Sequence, residues 1–155
     1  MNFLKVFTPK EKKAILEKLK SQFGIKNVPG LILKRGAERL FLFQGSFTPK
    51  KIEELENNRT SIERVGIYFA KEVGDEIRLS IDGIQLLKDQ ITKNIFELND
   101  EQYEKWMQGE ELYIETGQNA FLVMKYKGDF LGMGKASAEK ISNYIPKNRR
   151  LKIKN

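Results

Sequence analysis

The chain has 155 residues, 40% of them apolar and 32% charged, which is enough for one good core or two small ones. It contains neither Cys nor His, which removes disulfides, thiol nucleophiles, thiolate or imidazole metal sites and the usual general base at neutral pH. A net charge of +7 favours a polyanionic partner, and the excess is local: beyond residue 134, seven basic side chains face Glu139 alone.

The opening residues, Met1-Asn2-Phe3-Leu4-Lys5-Val6-Phe7, lack the apolar stretch and small-residue cleavage site of a secretion signal, so a cytoplasmic location is expected. Thr8-Pro9-Lys10-Glu11 predicts a helix over 9–23: Thr8 caps, Pro9 suits the first helical position, and Glu11 completes a capping box. Ile15, Leu16, Leu19 and Phe23 share its inward face, and Gly24 is placed to stop it. Residues 31–34 and 39–43 read as hairpin-paired strands about the turn Arg35-Gly36-Ala37-Glu38. A second start at Thr48-Pro49 predicts a short helix with Ile52 and Leu55 inward. Strands over 62–70 and 76–80, separated by Val73-Gly74-Asp75, complete a mixed helix and sheet domain over 1–80. A helical turn over 80–87, capped by Ser80 or Asp82, is the expected hinge.

The second domain is expected over 81–155. Residues 94–98 read as a short strand, Asn99 as the cap of a helix over 100–108, and Gly109 as its stop. Segments 111–115, 119–127 and 130–136 read as strands, joined by Thr116-Gly117 and the turn Lys127-Gly128-Asp129; a last strand over 149–153 would close a small barrel. Pro146 suits the bend into that strand, since it is unfit for a central one. The longest apolar run, 120–124, is far short of the roughly 20 residues of a membrane span, so no membrane contact is expected.

Gly128-Asp129-Phe130-Leu131-Gly132-Met133-Gly134-Lys135 superficially resembles a phosphate-cradling loop. Five residues rather than four lie between Gly128 and Gly134, and Ala136 stands where a Ser or Thr would hold magnesium, so bending or close approach of a strand accounts for the glycines better. The carboxylates, Asp75, Asp82, Asp100 and Glu111 among them, fall in turns, caps and surface positions without a catalytic or metal-ligand pattern. No catalytic residue, metal or cofactor is therefore expected. Tyr103, Trp106 and Met107 lie at helical spacing and read as packing.

The basic end has a mixed chemistry suited to RNA. Arg149 and Arg150 can fork onto phosphates or stack on bases, and Lys147, with Lys135, Lys140 and Lys152, can neutralise phosphates. Asn143 can bond a base edge or ribose, and Tyr144 offers a stacking face. On a terminal strand, Arg150, Lys152 and Lys154 would form the exposed row and Arg149, Leu151 and Ile153 the other. The plain alternative is a solubilising basic tail.

Phe121-Leu122-Val123-Met124, the glycine-rich stretch ending at Lys135, and Asn143-Tyr144-Ile145-Pro146-Lys147 followed by Arg149 and Arg150 resemble the RNA-binding tail of Fmu/Sun-type RNA cytosine methyltransferases, a PUA-type domain. In that pattern a Lys precedes the Asn; Ser142 stands there instead. Upstream, residues 39–43, 65–69 and 78–87 are similar to stand-alone archaeal ribosome-biogenesis proteins with an N-terminal α/β domain before PUA. The resemblance implies an α+β chain ending in a PUA-like β-pseudobarrel. It also implies a methyltransferase cysteine and an S-adenosylmethionine domain that these 155 residues do not hold.

The expectation is therefore non-catalytic binding of structured RNA, ribosomal RNA first and transfer RNA second, during maturation or ribosome assembly. The alternative is an adaptor that recruits an RNA-modifying enzyme or assembly partner through its N-terminal domain. A small RNA-modifying enzyme using a carboxylate or Lys would instead show acids converging in a concave pocket.

Overall fold

The computed structural model describes residues 4–44, 50 and 66–150. The chain divides into two compact units, Met1–Ile91 and Thr92–Asn155.

In the N-terminal unit, β1 (Leu4–Val6), β2 (Leu31–Arg35), β3 (Arg39–Phe43), β4 (Ile67–Val73) and β5 (Glu76–Leu79) form an antiparallel sheet in chain order, with α1 (Pro9–Phe23) between β1 and β2 and α2 (Ile81–Leu87) after β5. The capping box predicted for α1 is present: the Thr8 hydroxyl accepts from the Glu11 amide at 3.2 Å, and the Glu11 carboxylate accepts from the Thr8 amide at 3.1 Å. Gly24 ends the helix with φ 80. Ile15, Leu19 and Phe23 are buried, and Leu16 lies at the margin of that stripe. The Lys5 ammonium, then the Thr8 amide, hold the Glu11 carboxyl below the usual carboxylate range.

Strand alternation divides the apolar residues of β2 and β3. Leu33, Phe41 and Phe43 cluster with Leu4, Val6, Leu31 and Tyr68, whereas the alternate residues Ile32, Leu40 and Leu42 are buried on the opposite side. Gln22 of α1 closes onto the backbone of β5, its amide nitrogen donating to the Ile77 carbonyl at 3.1 Å and its amide oxygen accepting from the Ile77 N–H at 2.8 Å. Ser80 caps α2 by accepting from the Gly83 amide at 2.9 Å. A Cβ at Gly83 would fall 2.1 Å from the Phe69 carbonyl oxygen, so α2 lies directly on β4. The segment expected to hinge the halves at 80/81 is thus packed within the N-terminal unit, and the units part after Ile91. The helix predicted from Thr48-Pro49, with Ile52 and Leu55, and residues 62–65 of the next strand lie outside the described residues.

In the C-terminal unit, β6 (Ile95–Glu97), β7 (Ala120–Tyr126), β8 (Asp129–Ala136) and β9 (Ile141–Asn143) form a sheet in chain order, with α3 (Asp100–Met107) between β6 and β7. β6 runs parallel to β7; the other pairs are antiparallel. Asn99 and Gln102 make a second capping box at the start of α3. Lys127 and Gly128, with φ 47 and 89, form the left-handed pair of a tight hairpin turn between β7 and β8. Trp106 is fully buried among Leu98, Leu112, Leu122, Met124, Ala136, Ile141 and Ile145, with Tyr103 and Met107 packed at its side, as the helical spacing predicts. The Tyr126 hydroxyl donates to Asp100 at 2.7 Å, and its ring stacks on Tyr103 at 4.0 Å, which fastens α3 to β7.

Three expectations for this unit are corrected. Residues 111–115 are not a strand. Leu112 exchanges two backbone hydrogen bonds with Ile141, at 3.1 and 2.7 Å, and the chain then folds on itself as the Ile114 amide turns back to the Leu112 carbonyl. Arg149 does not begin a strand either: it ends a 3-10 turn, Lys147–Arg149, closed by the bond from the Arg149 amide to the Pro146 carbonyl at 2.9 Å. Residues 151–153 lie outside the described residues. Accordingly no closed barrel forms among the described residues; the sheet is open, with β6 and β9 at its edges. No described helix is long and apolar enough to cross a membrane.

Candidate nucleic-acid interface

The last three strands position the basic end. Phe121 of β7 stands opposite Lys135 of β8, which stands opposite Ser142 of β9. One residue before Lys135, Gly134 faces the other side of the sheet: a Cβ there would lie 2.8 Å from the Trp106 ring and 2.7 Å from the Ile141 side chain. The indole seats where a side chain would otherwise be, and alternation turns Lys135 away from the core. The Gly-x-Gly-Lys sequence is thus a packing device followed by a cation.

Lys135 Nζ lies 4.5 Å from the centroid of the Phe121 ring. On the same ring's flank, Tyr144 sits with centroids 6.1 Å apart and planes tilted by 53°. Tyr144 is 40% exposed whereas Phe121 is buried. The three put a cation and an exposed tyrosine against one buried ring. The chain then passes Pro146 into the 3-10 turn, where Lys147 and Arg149 are exposed. No carboxylate pairs with Lys147 among the described residues.

The other predicted contacts divide differently. Asn143 points inward: its amide nitrogen donates to the carbonyls of Trp106, at 2.9 Å, and Glu110, at 3.0 Å, and its oxygen accepts from the Ile145 amide at 2.8 Å. It clamps the end of α3 to β9 through both ends of its side-chain amide, where the sequence reading expects a base edge or ribose as its partner. Arg150 folds back, its Nε donating to the Ile145 carbonyl at 3.0 Å. Its guanidinium lies over Gly109, where a Cβ would come within 2.5 Å of Nε. The half-buried Arg150 therefore does not stand in the exposed row expected of a strand. Lys140 pairs with Glu111 at 2.7 Å, and the hydrogen bond and charge of Glu111 raise its pKa. Lys152 lies outside the described residues.

The arrangement therefore brings together Lys135 and Tyr144 across Phe121, with Lys147 and Arg149 on the following turn. Sequence reading gave no site role to Phe121, quoted only within the resemblance, or to Gly109. Phe121 is hidden in an apolar run in which both faces of the strand look alike, and Gly109 is legible only as a helix stop. Among the described residues, no group of three or more acids converges as a metal site.

Residues 93–151 match the family model of the Methyltransferase RsmF PUA domain. Similarity to proteins described as Ribosomal RNA small subunit methyltransferase F extends across both units. The protein of Psychromonas ingrahamii is 28% identical over 146 residues, covering 90% of this chain and 29% of the relative. That of Shewanella oneidensis is 27% identical over 143 residues, covering 91% and 28%, and that of Aeromonas hydrophila 25% identical over 142 residues, covering 89% and 28%. The chain thus spans under a third of the length of these relatives, and its C-terminal unit is similar to the PUA domain of RsmF methyltransferases.

Proposed function

We propose that the C-terminal unit binds structured ribosomal RNA during its maturation or assembly into a subunit, and that this chain contributes recognition rather than a covalent step. One observation carries the reading: within the segment similar to the RsmF PUA domain, Lys135 and the exposed Tyr144 both lie against the Phe121 ring, and the chain runs on into the turn that carries Lys147 and Arg149. Ammonium and guanidinium groups meet phosphates and release their counterions, while an exposed tyrosine such as Tyr144 is the kind of side chain on which an unstacked base is held. Asn143 and Arg150 act through the fold, by holding the turn that presents Lys147 and Arg149. The relatives' description as ribosomal RNA methyltransferases favours ribosomal over transfer RNA.

Binding of a small-subunit ribosomal RNA fragment, measured across salt concentrations, tests the reading. Replacing Lys147 and Arg149 together by Gln is expected to weaken binding and flatten its salt dependence. Lys140→Gln, which removes a cation already paired with Glu111, is expected to leave both unchanged. Unchanged affinity and slope in the double variant would refute the reading.

A further inference from the structure

The N-terminal unit has a cavity of about 400 Å³ lined by Arg39, Phe41, Gly66, Ile67, Tyr68 and Asp82. Phe41 is buried, and its ring lies 5.6 Å from that of Tyr68 with planes tilted by 46°. The Arg39 guanidinium stands over the Tyr68 ring at 5.7 Å. Neighbouring charges on the sheet are matched, Lys71 with Glu38 at 3.0 Å and Lys34 with Glu72 at 2.6 Å. Arg39 has no such partner among the described residues and rests on the aromatic ring. Ile67, 40% exposed, adds apolar surface, and Asp82, in the first turn of α2, adds a carboxylate.

These groups suit one kind of ligand. A guanidinium over a tyrosine ring is a flat cationic wall on which a planar heterocycle stacks. An apolar floor takes the heterocycle's face, and a carboxylate accepts hydrogen bonds from an exocyclic amine such as the cytosine N4 group. The volume falls within the range of small-ligand sites. A chain of net charge +7 selects a heterocycle joined to a polyanion.

We propose that this cavity takes one unpaired base of the bound RNA, with Arg39 and Tyr68 as its stacking wall and Asp82 accepting from the base's exocyclic amine. The proposal rests on the RNA-binding reading and adds to it a base-selective contact on the N-terminal unit. Adenine, guanine and cytosine carry such an amine; uracil does not, so uracil is the disfavoured base.

The test is an NMR titration of the full chain with oligocytidylate, oligoadenylate and oligouridylate, following the Gly66 amide and Ile67 methyl signals. Oligocytidylate and oligoadenylate are expected to move both signals and to bind about tenfold more tightly than oligouridylate, in line with one base contact. Arg39→Gln is expected to weaken oligocytidylate about tenfold, and Asp82→Ala to abolish its advantage over oligouridylate. Both positions are exposed, so neither change threatens the core. Oligonucleotides that bind while leaving Gly66 and Ile67 unmoved, or that bind equally whatever their base, would overturn the cavity's role. The dependence on Lys147 and Arg149 would then still stand. Loss of all RNA binding, the ribosomal fragment included, would overturn both readings.

Discussion

The side-chain amide of Asn143 donates to two carbonyls and accepts from one amide, so its removal costs the Trp106 carbonyl one of its bonds and takes from the Glu110 carbonyl and the Ile145 amide their side-chain partner. Each such loss costs about 1 to 3 kcal/mol where water cannot fully replace the bond. Asn143→Ala is accordingly expected to destabilise the C-terminal unit by about 2 kcal/mol, measured by urea unfolding with Trp106, the single tryptophan, as the fluorophore. Any loss of RNA affinity should follow the loss of structure. A fully stable Asn143→Ala protein with impaired binding would restore the direct-contact role that the residue type suggested. Asn143 illustrates why residue identity reaches only part way: an amide can serve a base or the backbone equally well, and the choice depends on where α3 ends.

At the scale of elements, two glycine and cap positions carry distinct predictions. Gly134 lies against Trp106 and Ile141, so Gly134→Ala forces a methyl group into a filled space and is expected to cost about 1 to 3 kcal/mol. The fluorescence of Trp106 should shift as the indole is displaced. A neutral effect would show that the sheet and α3 separate easily. The α1 cap responds to pH. The Glu11 carboxyl is held below its usual range, chiefly by Lys5, so its contribution is present above the ordinary Glu value and is lost as pH falls through the lowered one. Glu11→Gln keeps the reach to the Thr8 amide but not the charge. Wild type is therefore expected to exceed the variant in stability at neutral pH and to converge with it on acidification, as read from urea midpoints across a pH series.

For the whole molecule, charge distribution matters more than the total. The seven basic groups beyond residue 134 do not act alike: Lys140 is neutralised by Glu111 and Arg150 is folded onto Gly109, whereas Lys147 and Arg149 are exposed. If those two each meet a phosphate, their joint replacement by Gln lowers the slope of log affinity against log salt by about 1.4 to 1.8. Filter binding or fluorescence anisotropy over a salt series checks this value. A diffuse basic tail would instead lose the same increment at any pair of its charges, Lys140 and Arg150 included.

Caps, tight turns and strand alternation are decided by neighbours a few residues apart, and the sequence by itself determined those features. Thr8 and Glu11, Asn99 before α3, Gly24, and Lys127-Gly128 all act as their types predict. The basic, aromatic character of the last 21 residues was equally plain. Only the tertiary structure decided how those side chains divide. Gly134 leaves room for Trp106 and Ile141 where β8 pairs with β9, and the 3-10 turn after Pro146 breaks the alternation that would have placed Arg149 and Arg150 on opposite faces. The starting picture of one basic surface has become a smaller one, Lys135 and Tyr144 against Phe121 with Lys147 and Arg149 on the turn that follows, held by Asn143 and Arg150. The physical reason is that a polar side chain near a helix end can satisfy buried backbone groups or face solvent, and long-range packing selects between them.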